Sequence, residues 1–93
     1  MDYQLIFSDT VQRVVRLASP ELKACYKKKL DQLKEKPGIG KPLLRKLSGY
    51  RSVRTNKLRI IYKVLREKKI LEVHYLGPRR DLYEIVHQVR NVF

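Results

Sequence analysis

The sequence predicts an α+β domain in which an antiparallel sheet packs against a helical hairpin, in the order β-α-α-β-β-β with a last helix after it. Three observations lead to this prediction. The 93 residues suffice for one core and no second module, so residues 1–93 should form a single domain. Apolar residues follow a helical period in the first third of the chain, and a strand period from Tyr50 onwards. Finally, 43% hydrophobic residues can build such a core.

The helical hairpin is predicted between residues 9 and 35. Residues 3–8 alternate in polarity and form a short first strand, after which Asp9 or Thr10 should cap the first helix. Ser19 and Pro20 suit the cap and the first position of a second helix. One stripe of that helix comprises Leu22, Cys25, Tyr26, Lys29, Leu30 and Leu33. The proline- and glycine-rich residues 36–42 end the hairpin.

The second half of the chain predicts strands at residues 50–55, 58–66 and 70–77, joined by short turns into an antiparallel meander. In the middle strand, alternation places Arg59, Ile61 and Lys63 on one side, and Leu58, Ile60, Tyr62 and Val64 on the other. The second side is the better core face. A last helix is predicted at residues 80–91, with an apolar stripe formed by Leu82, Ile85, Val86 and Val89.

The net charge of +13 indicates a polyanion, first of all nucleic acid, as the partner. Solvated helix faces are the alternative source of such a charge. The distribution favours a partner, because no acidic residue lies between Glu35 and Glu67 while ten basic residues do. Arg59 stands on a partly apolar face, where its guanidinium is costly unless it binds a phosphate or pairs across strands.

The sequence does not indicate a disulfide, a membrane span, a cofactor or metal site, or a catalytic histidine. The single cysteine, Cys25, excludes an internal disulfide and should pack in its helix. The sequence has no signal peptide and no membrane span, so a soluble cytoplasmic protein is expected. No phosphate loop, zinc-ligand spacing or Ser-His-Asp set occurs, and neither a cofactor nor a metal is expected. His74 and His87 are more typical of surface or packing positions than of catalysis.

Two segments carry a family resemblance that covers essentially the whole chain. Residues 47–62, LSGYRSVRTNKLRIIY, and residues 77–83, GPRRDLY, resemble the signature of the RelE/ParE toxin superfamily. That signature is roughly L-x-G, an arginine, a short turn, Y-R-I-I-Y and then G-H-R-x-x-x-Y. The resemblance implies a microbial RNase-like fold whose RelE branch binds the ribosomal A site, cleaves mRNA there and is held inactive by an antitoxin.

The motif positions carry over to four candidate catalytic residues: Arg54, Arg59, Arg79 and Tyr83. Cleavage by the neighbouring 2′-hydroxyl needs charge neutralised on the phosphorane, a base for the hydroxyl proton and help for the leaving oxygen. Arginines can supply the first, and Tyr83 can stack on a base or transfer a proton. Residues expected to bind RNA or the ribosome are Arg45, Lys46, Arg51, Lys57, Lys63 and Arg80.

Departures from the family pattern leave the general base unassigned. Tyr50 and Ser52 stand where some RelE toxins have lysines, and Pro78 stands where the family often has histidine. Glu72 and Asp81 are as typical of salt bridges as of catalysis. We therefore expect little activity away from the ribosome, which would supply the geometry of the mRNA.

Three functions remain open from the sequence. The first is a ribosome-dependent endoribonuclease of the RelE type. The second is a ParE-type inhibitor of DNA gyrase without nuclease activity, and the third is a non-catalytic RNA-binding domain, whose binding should fall steeply with salt. The basic groove and an incompletely covered sheet also predict an acidic antitoxin segment that neutralises the site or displaces the last helix.

Overall fold

The structure, a computed structural model, describes residues 2–55 and 57–79. The predicted α+β class is confirmed: a helical hairpin packs on a five-stranded sheet. The last helix predicted at residues 80–91 and the turn residue Asn56 lie outside the described residues. The elements are β1 (Gln4–Phe7), α1 (Asp9–Leu17), α2 (Pro20–Glu35), β2 (Lys41–Pro42), β3 (Tyr50–Arg54), β4 (Leu58–Leu65) and β5 (Ile70–Pro78), with short 3₁₀ helices at Pro37–Ile39 and Arg45–Leu47.

Serine side chains cap both helices. Ser19 Oγ accepts a hydrogen bond from the backbone N–H of Leu22 at 3.2 Å, and Pro20 follows as the first helical residue, as predicted. The prediction for α1 was wrong by one residue, because Ser8 is the cap and Asp9 is already helical. Buried Ser8 accepts from the N–H of Val11 at 3.1 Å, and Asp9 is thereby placed in the first turn, where its charge is favourable.

The sheet has the spatial order β1-β5-β4-β3-β2. Strands β3, β4 and β5 form the predicted antiparallel meander. The expectation of a wholly antiparallel sheet was wrong, because β1 pairs with β5 in parallel. The two-residue strand β2, which was not predicted, extends the sheet beyond β3. Alternating polarity and short turns predict pairing only between strands that are neighbours in the sequence. The pairing of β1 with β5 was missed because these strands come from opposite ends of the described chain.

The two faces of the sheet bury different sets of residues. The face covered by the helices forms the main core, where Ile60 and Tyr62 of β4 pack with Leu30 and Leu33 of α2. On the opposite face, Leu47, Ile61 and Tyr75 form a smaller cluster, and Leu43 and Tyr50 pack against it. The predicted assignment of the β4 side chains to these faces is confirmed. We call the opposite face, which also carries Arg59, the open face.

A β-bulge in β5 changes which side chains reach the open face. Ile61 pairs with Tyr75 and Tyr62 pairs with Val73, so His74 is an extra residue between them. Val73 belongs to the main core, while Tyr75 packs in the open-face cluster and the His74 ring contacts Tyr50. Two consecutive residues therefore point to one face, as a bulge allows.

Helix α2 turns its cysteine away from the core. Tyr26, Leu30 and Leu33 are the buried residues of α2, and they recur at the spacing of one helix face. Cys25 is exposed, so the expectation that it packs was wrong. It lies about 100° around the helix from Tyr26 and therefore away from the buried face.

None of the helices within residues 2–55 and 57–79 has the length and apolar character needed to span a membrane.

Candidate nucleic-acid interface

Two of the three predicted catalytic arginines lie directly opposite each other on the open face. Arg54, at the end of β3, pairs with Arg59 of β4, and Arg59 pairs on its other side with Gly77 of β5. Side chains at directly paired positions have Cβ atoms about 4.5–5.5 Å apart, and like charges there repel. An anion bound between the two guanidinium groups would relieve this repulsion.

A serine holds the half-buried side chain of Arg59. Its Nη1 donates a hydrogen bond to Ser52 Oγ at 2.8 Å, and Ser52 is itself buried. A guanidinium presents five N–H donors in one plane, so anchoring one nitrogen fixes the direction of the whole fork. Arg59 is therefore oriented before any ligand arrives. Arg54, by contrast, is exposed.

Glycine occupies the β5 position next to Arg59. A Cβ on Gly77 would lie 3.3 Å from the hydroxyl of Tyr75, a close approach that a side chain at this position would have to accommodate. The same hydroxyl donates to the carbonyl of Pro78 at 2.7 Å. This bond ties down the end of β5 just before Arg79.

The third predicted catalytic arginine lies at the same end of the ribbon formed by β3, β4 and β5. The backbone N–H of Arg79 donates to the carbonyl of Lys57 at 2.9 Å, which extends the β4–β5 pairing by one step. Both residues are exposed. Together with Arg54 and Arg59 they place four cationic residues around one end of the ribbon. We call these four residues the arginine row: Arg54, Lys57, Arg59 and Arg79.

Another predicted RNA-binding residue, Arg51, has a structural task in the described chain. Its Nη1 donates to the carbonyls of Gly40 at 2.7 Å and Gly38 at 3.3 Å. The hydroxyl of Tyr62, from the core side, donates to the Pro37 carbonyl at 2.7 Å and accepts from the Gly40 N–H at 2.9 Å. Burial raises the pKa of Tyr62, although the Gly40 hydrogen bond and the charge of Arg51 lower it. Two side chains thus fasten the 36–40 loop to the sheet.

The remaining predicted RNA-binding residues are spread over the open face and its loops. Arg45 and Lys46 are exposed in the loop before β3. Lys63 lies on the open face of β4, with its Nζ 5.7 Å from the centroid of the Tyr50 ring, a cation–π distance. Tyr83 and Arg80, as well as His87 and Asp81, lie outside the described residues.

An imidazole–carboxylate pair lies towards the other end of the ribbon from the arginine row. His74 Nε2 lies 3.2 Å from Glu72 Oε1, and the His74 ring makes an edge contact with Tyr50 at 4.8 Å between centroids. His74 is buried, with 4% of its side chain exposed, which fits the predicted packing role. Tyr75 and Ile61, whose side chains belong to the apolar cluster, stand between this pair and Arg59 along the strands. Among the described residues, no group of three or more His, Cys, Asp or Glu could hold a metal ion.

Comparison with known proteins identifies the family. A family model described as the ParE toxin of the type II toxin–antitoxin system parDE matches residues 2–83, which is most of the chain. The chain belongs to the ParE toxin family. It is therefore a toxin of a type II toxin–antitoxin system, within the RelE/ParE superfamily suggested by its motifs. No curated protein sequence matches it significantly.

Solved structures agree with this membership. An arginine-to-alanine double mutant of the Escherichia coli toxin RelE in the free state is 25% identical with a TM-score of 0.75, over 96% of this chain and 95% of that one. The toxin–antitoxin complex RelBE2 from Mycobacterium tuberculosis contains a chain 26% identical with a TM-score of 0.74, over 85% of this chain and 100% of that one. The intact Escherichia coli RelBE complex gives 26% and 0.70, over 85% and 99%.

The sequence did not reveal two features of this ParE-family toxin, the anchor of Arg59 and the bulge in β5. Ser52 appeared only as a departure from the lysines of some relatives, although alternation places it on the same side of the sheet as Arg54. Its bond to Arg59 depends on the register of β3 against β4. That register cannot be read from the sequence alone. The bulge at His74 was invisible for the same reason, since alternation assumes an unbroken ladder.

Proposed function

We propose that this toxin is a ribosome-dependent endoribonuclease that cleaves mRNA and so inhibits translation. The observation that carries the proposal is the direct pairing of Arg54 and Arg59, with Arg59 oriented by Ser52. Lys57 and Arg79 add positive charge at the same end of the ribbon. Clustered cations of this kind are typical of a site that binds one phosphodiester of a nucleic-acid strand. Solvated surface charges are usually dispersed and mixed with charges of the opposite sign.

The chemistry assigned to the row is charge stabilisation. In cleavage by the neighbouring 2′-hydroxyl, the 2′-oxygen forms a bond to phosphorus while the bond to the 5′-oxygen breaks. The phosphorane oxygens gain charge in the transition state, and fixed guanidinium donors stabilise that charge without reorganising. Arg59 and Arg54 would bind these oxygens, and Arg79 would assist the leaving oxygen. Tyr83 remains our candidate for base stacking or proton transfer.

Dependence on the ribosome follows from what the arginine row lacks. Its four described members are all cations, so none supplies a carboxylate or an imidazole to accept the hydroxyl proton. The ribosome would then contribute by holding the mRNA with its 2′-hydroxyl in line, since positioning alone can supply a large part of the barrier reduction. We accordingly propose that Arg45, Lys46, Lys63 and Arg80 contact ribosomal RNA or mRNA.

The proposed protein partner is a cognate antitoxin. Two of the similar structures are toxin–antitoxin complexes. The net charge of +13 favours an acidic partner segment, which would neutralise the arginine row by charge complementarity. Co-purification with the product of an adjacent small gene tests this partner, and a chain that is harmless on its own and captures nothing would count against it.

A second candidate function is inhibition of DNA gyrase. It is favoured by the description of the matching family model, which is that of ParE, and by Tyr50 and Ser52 at positions where some RelE toxins carry lysines. In this case the same fold would bind its target without cleaving RNA.

Inducible expression followed by mapping of mRNA 5′ ends separates the two functions. We expect new ends within translated regions for the wild type and none for the Arg59→Ala, Arg79→Ala double variant. A matched control is Arg13→Ala, Arg16→Ala, which removes the same charge from exposed positions of α1 and should leave cleavage intact. Intact mRNA together with accumulated cleaved gyrase–DNA complexes would refute the ribonuclease and support the gyrase inhibitor.

A further inference from the structure

The loop between β2 and β3, residues 43–49, is firmly built on the open face. The N–H of Leu43 donates to the carbonyl of Tyr50 at 2.9 Å, and the N–H of Leu47 donates to the carbonyl of Leu44 at 3.2 Å. Leu47 is buried against Ile61 and Tyr75, and Leu43 packs on the same cluster. The loop is therefore anchored at both ends, and its tip has a defined position.

The tip of this loop exposes a leucine and strains an arginine. Leu44 is 79% exposed, although it lies next to Leu43 and three residues from buried Leu47. Arg45 has φ 57°, a left-handed conformation that costs a residue with a side chain about 1 kcal/mol. Arg45 and Lys46 are both exposed. The tip therefore presents an exposed apolar side chain next to two cations on a strained backbone. Such a combination is typical of a surface that contacts a partner.

The end of this loop packs on the strand that carries Arg59. Leu47 packs on Ile61, which is two residues from Arg59 on the same face of β4. Two residues of a strand span about 7 Å, a distance comparable to one step along an extended nucleic-acid strand. A strand whose phosphate lies on Arg59 would therefore reach Leu47, three residues after Leu44, within one or two nucleotides.

We propose that Leu44, Arg45 and Lys46 form a second contact for single-stranded RNA, in which Leu44 packs on the face of an unstacked base next to the cleaved phosphodiester. Arg45 and Lys46 bind the phosphates that flank this base. Apolar side chains commonly pack on extruded bases, and sequence-specific recognition of RNA mostly uses such unstacked bases. This inference rests on the proposed ribonuclease function and deepens it by assigning residues to the choice of cleavage position.

Charge favours RNA over an apolar protein surface as the occupant of this tip. From Lys36 to Arg66 the sequence has ten basic residues and no acidic one, and the tip contributes two of the basic ones. A purely hydrophobic protein contact gains little from such a field, whereas a nucleic acid brings one negative charge with every nucleotide.

The test compares Leu44→Ala with Leu17→Ala by mapping mRNA 5′ ends after induction. Leu17 is the matched control because it is 73% exposed at the end of α1, on the side of the helices. We expect Leu44→Ala to reduce cutting about 10-fold, the loss expected when a leucine contact of this size is truncated, and to flatten the base preference beside the cut. Leu17→Ala should cut as the wild type does.

A second variant separates binding from stability. Arg45→Gly relieves the left-handed backbone and removes one charge, so its melting temperature should rise while its cutting falls. A structural role for Arg45 would move both quantities in the same direction. Unchanged cutting and base preference in Leu44→Ala would overturn the inference while the ribonuclease stands, as would a loss confined to antitoxin binding. If the wild type and Leu17→Ala also fail to cut, the proposed function falls and the inference with it.

Discussion

Removing a single oxygen atom from the core should destabilise this toxin strongly. Tyr62 is fully buried, and its hydroxyl bonds two backbone groups, the Pro37 carbonyl and the Gly40 N–H. Tyr62→Phe leaves both groups without this partner. A buried polar group without a partner costs about 1–3 kcal/mol. Because Gly40 is buried and Pro37 is half-buried, we expect a total loss of about 2–4 kcal/mol.

Urea denaturation followed by circular dichroism measures this loss. A small domain has a slope of about 1–3 kcal/mol per molar urea, so the midpoint should fall by roughly 2 M. Tyr75→Phe is the control, because its hydroxyl bonds the carbonyl of Pro78, an exposed residue whose carbonyl water can reach. Its cost should be the smaller of the two. A change below about 0.5 kcal/mol for Tyr62→Phe would refute the view that this hydroxyl fastens the 36–40 loop.

Three further predictions concern the arginine row and pH. Arg59→Ala should lower the rate of mRNA cleavage about 100- to 1,000-fold in an assay with ribosomes bound to mRNA. Arg59→Lys should recover little of that rate, because an ammonium lacks the planar fork of a guanidinium. Near-normal cleavage by either variant would contradict this prediction. Ser52→Ala should lower kcat several-fold with little change in KM, because Arg59 loses its anchor. Ser52→Thr keeps the hydroxyl and should keep the rate of cleavage. Equal rates for the two variants would argue against a positioning role for Ser52. Burial raises the pKa of Tyr62 above the usual tyrosine value of 10.0. The stability that the neutral hydroxyl contributes is therefore present below pH 10 and is lost as the pH rises further, and urea midpoints between about pH 9 and 11 should fall less for Tyr62→Phe than for the wild type.

The local elements followed from the sequence because each carries its own signal. Ser19 and Pro20 marked the start of α2, and the alternation in β4 assigned Ile60 and Tyr62 to the core. The pairing of β1 with β5 was not predictable, because no turn or period links strands from opposite ends of the described chain. The cap of α1 was missed because Ser8, Asp9 and Thr10 are all residue types that cap helices well.

The candidate site was predicted as a set of residues rather than as a geometry. The motifs selected Arg54, Arg59 and Arg79, and the structure places all three at one end of the ribbon. The sequence did not indicate that Ser52 anchors Arg59 or that Arg51 is bonded to the 36–40 loop. Both contacts join residues by strand register or loop path, which depend on tertiary packing and not on local pattern.

Cleavage of mRNA by the purified protein on programmed ribosomes would show directly whether this toxin is a ribosome-dependent ribonuclease. Primer extension would compare wild type with Arg59→Ala, each with and without ribosomes. We expect cuts within translated codons for the wild type only when ribosomes are present, and at least about 100-fold fewer for Arg59→Ala. Full-length mRNA with wild-type toxin at stoichiometric excess over ribosomes would contradict it, as would equal cutting by the two proteins.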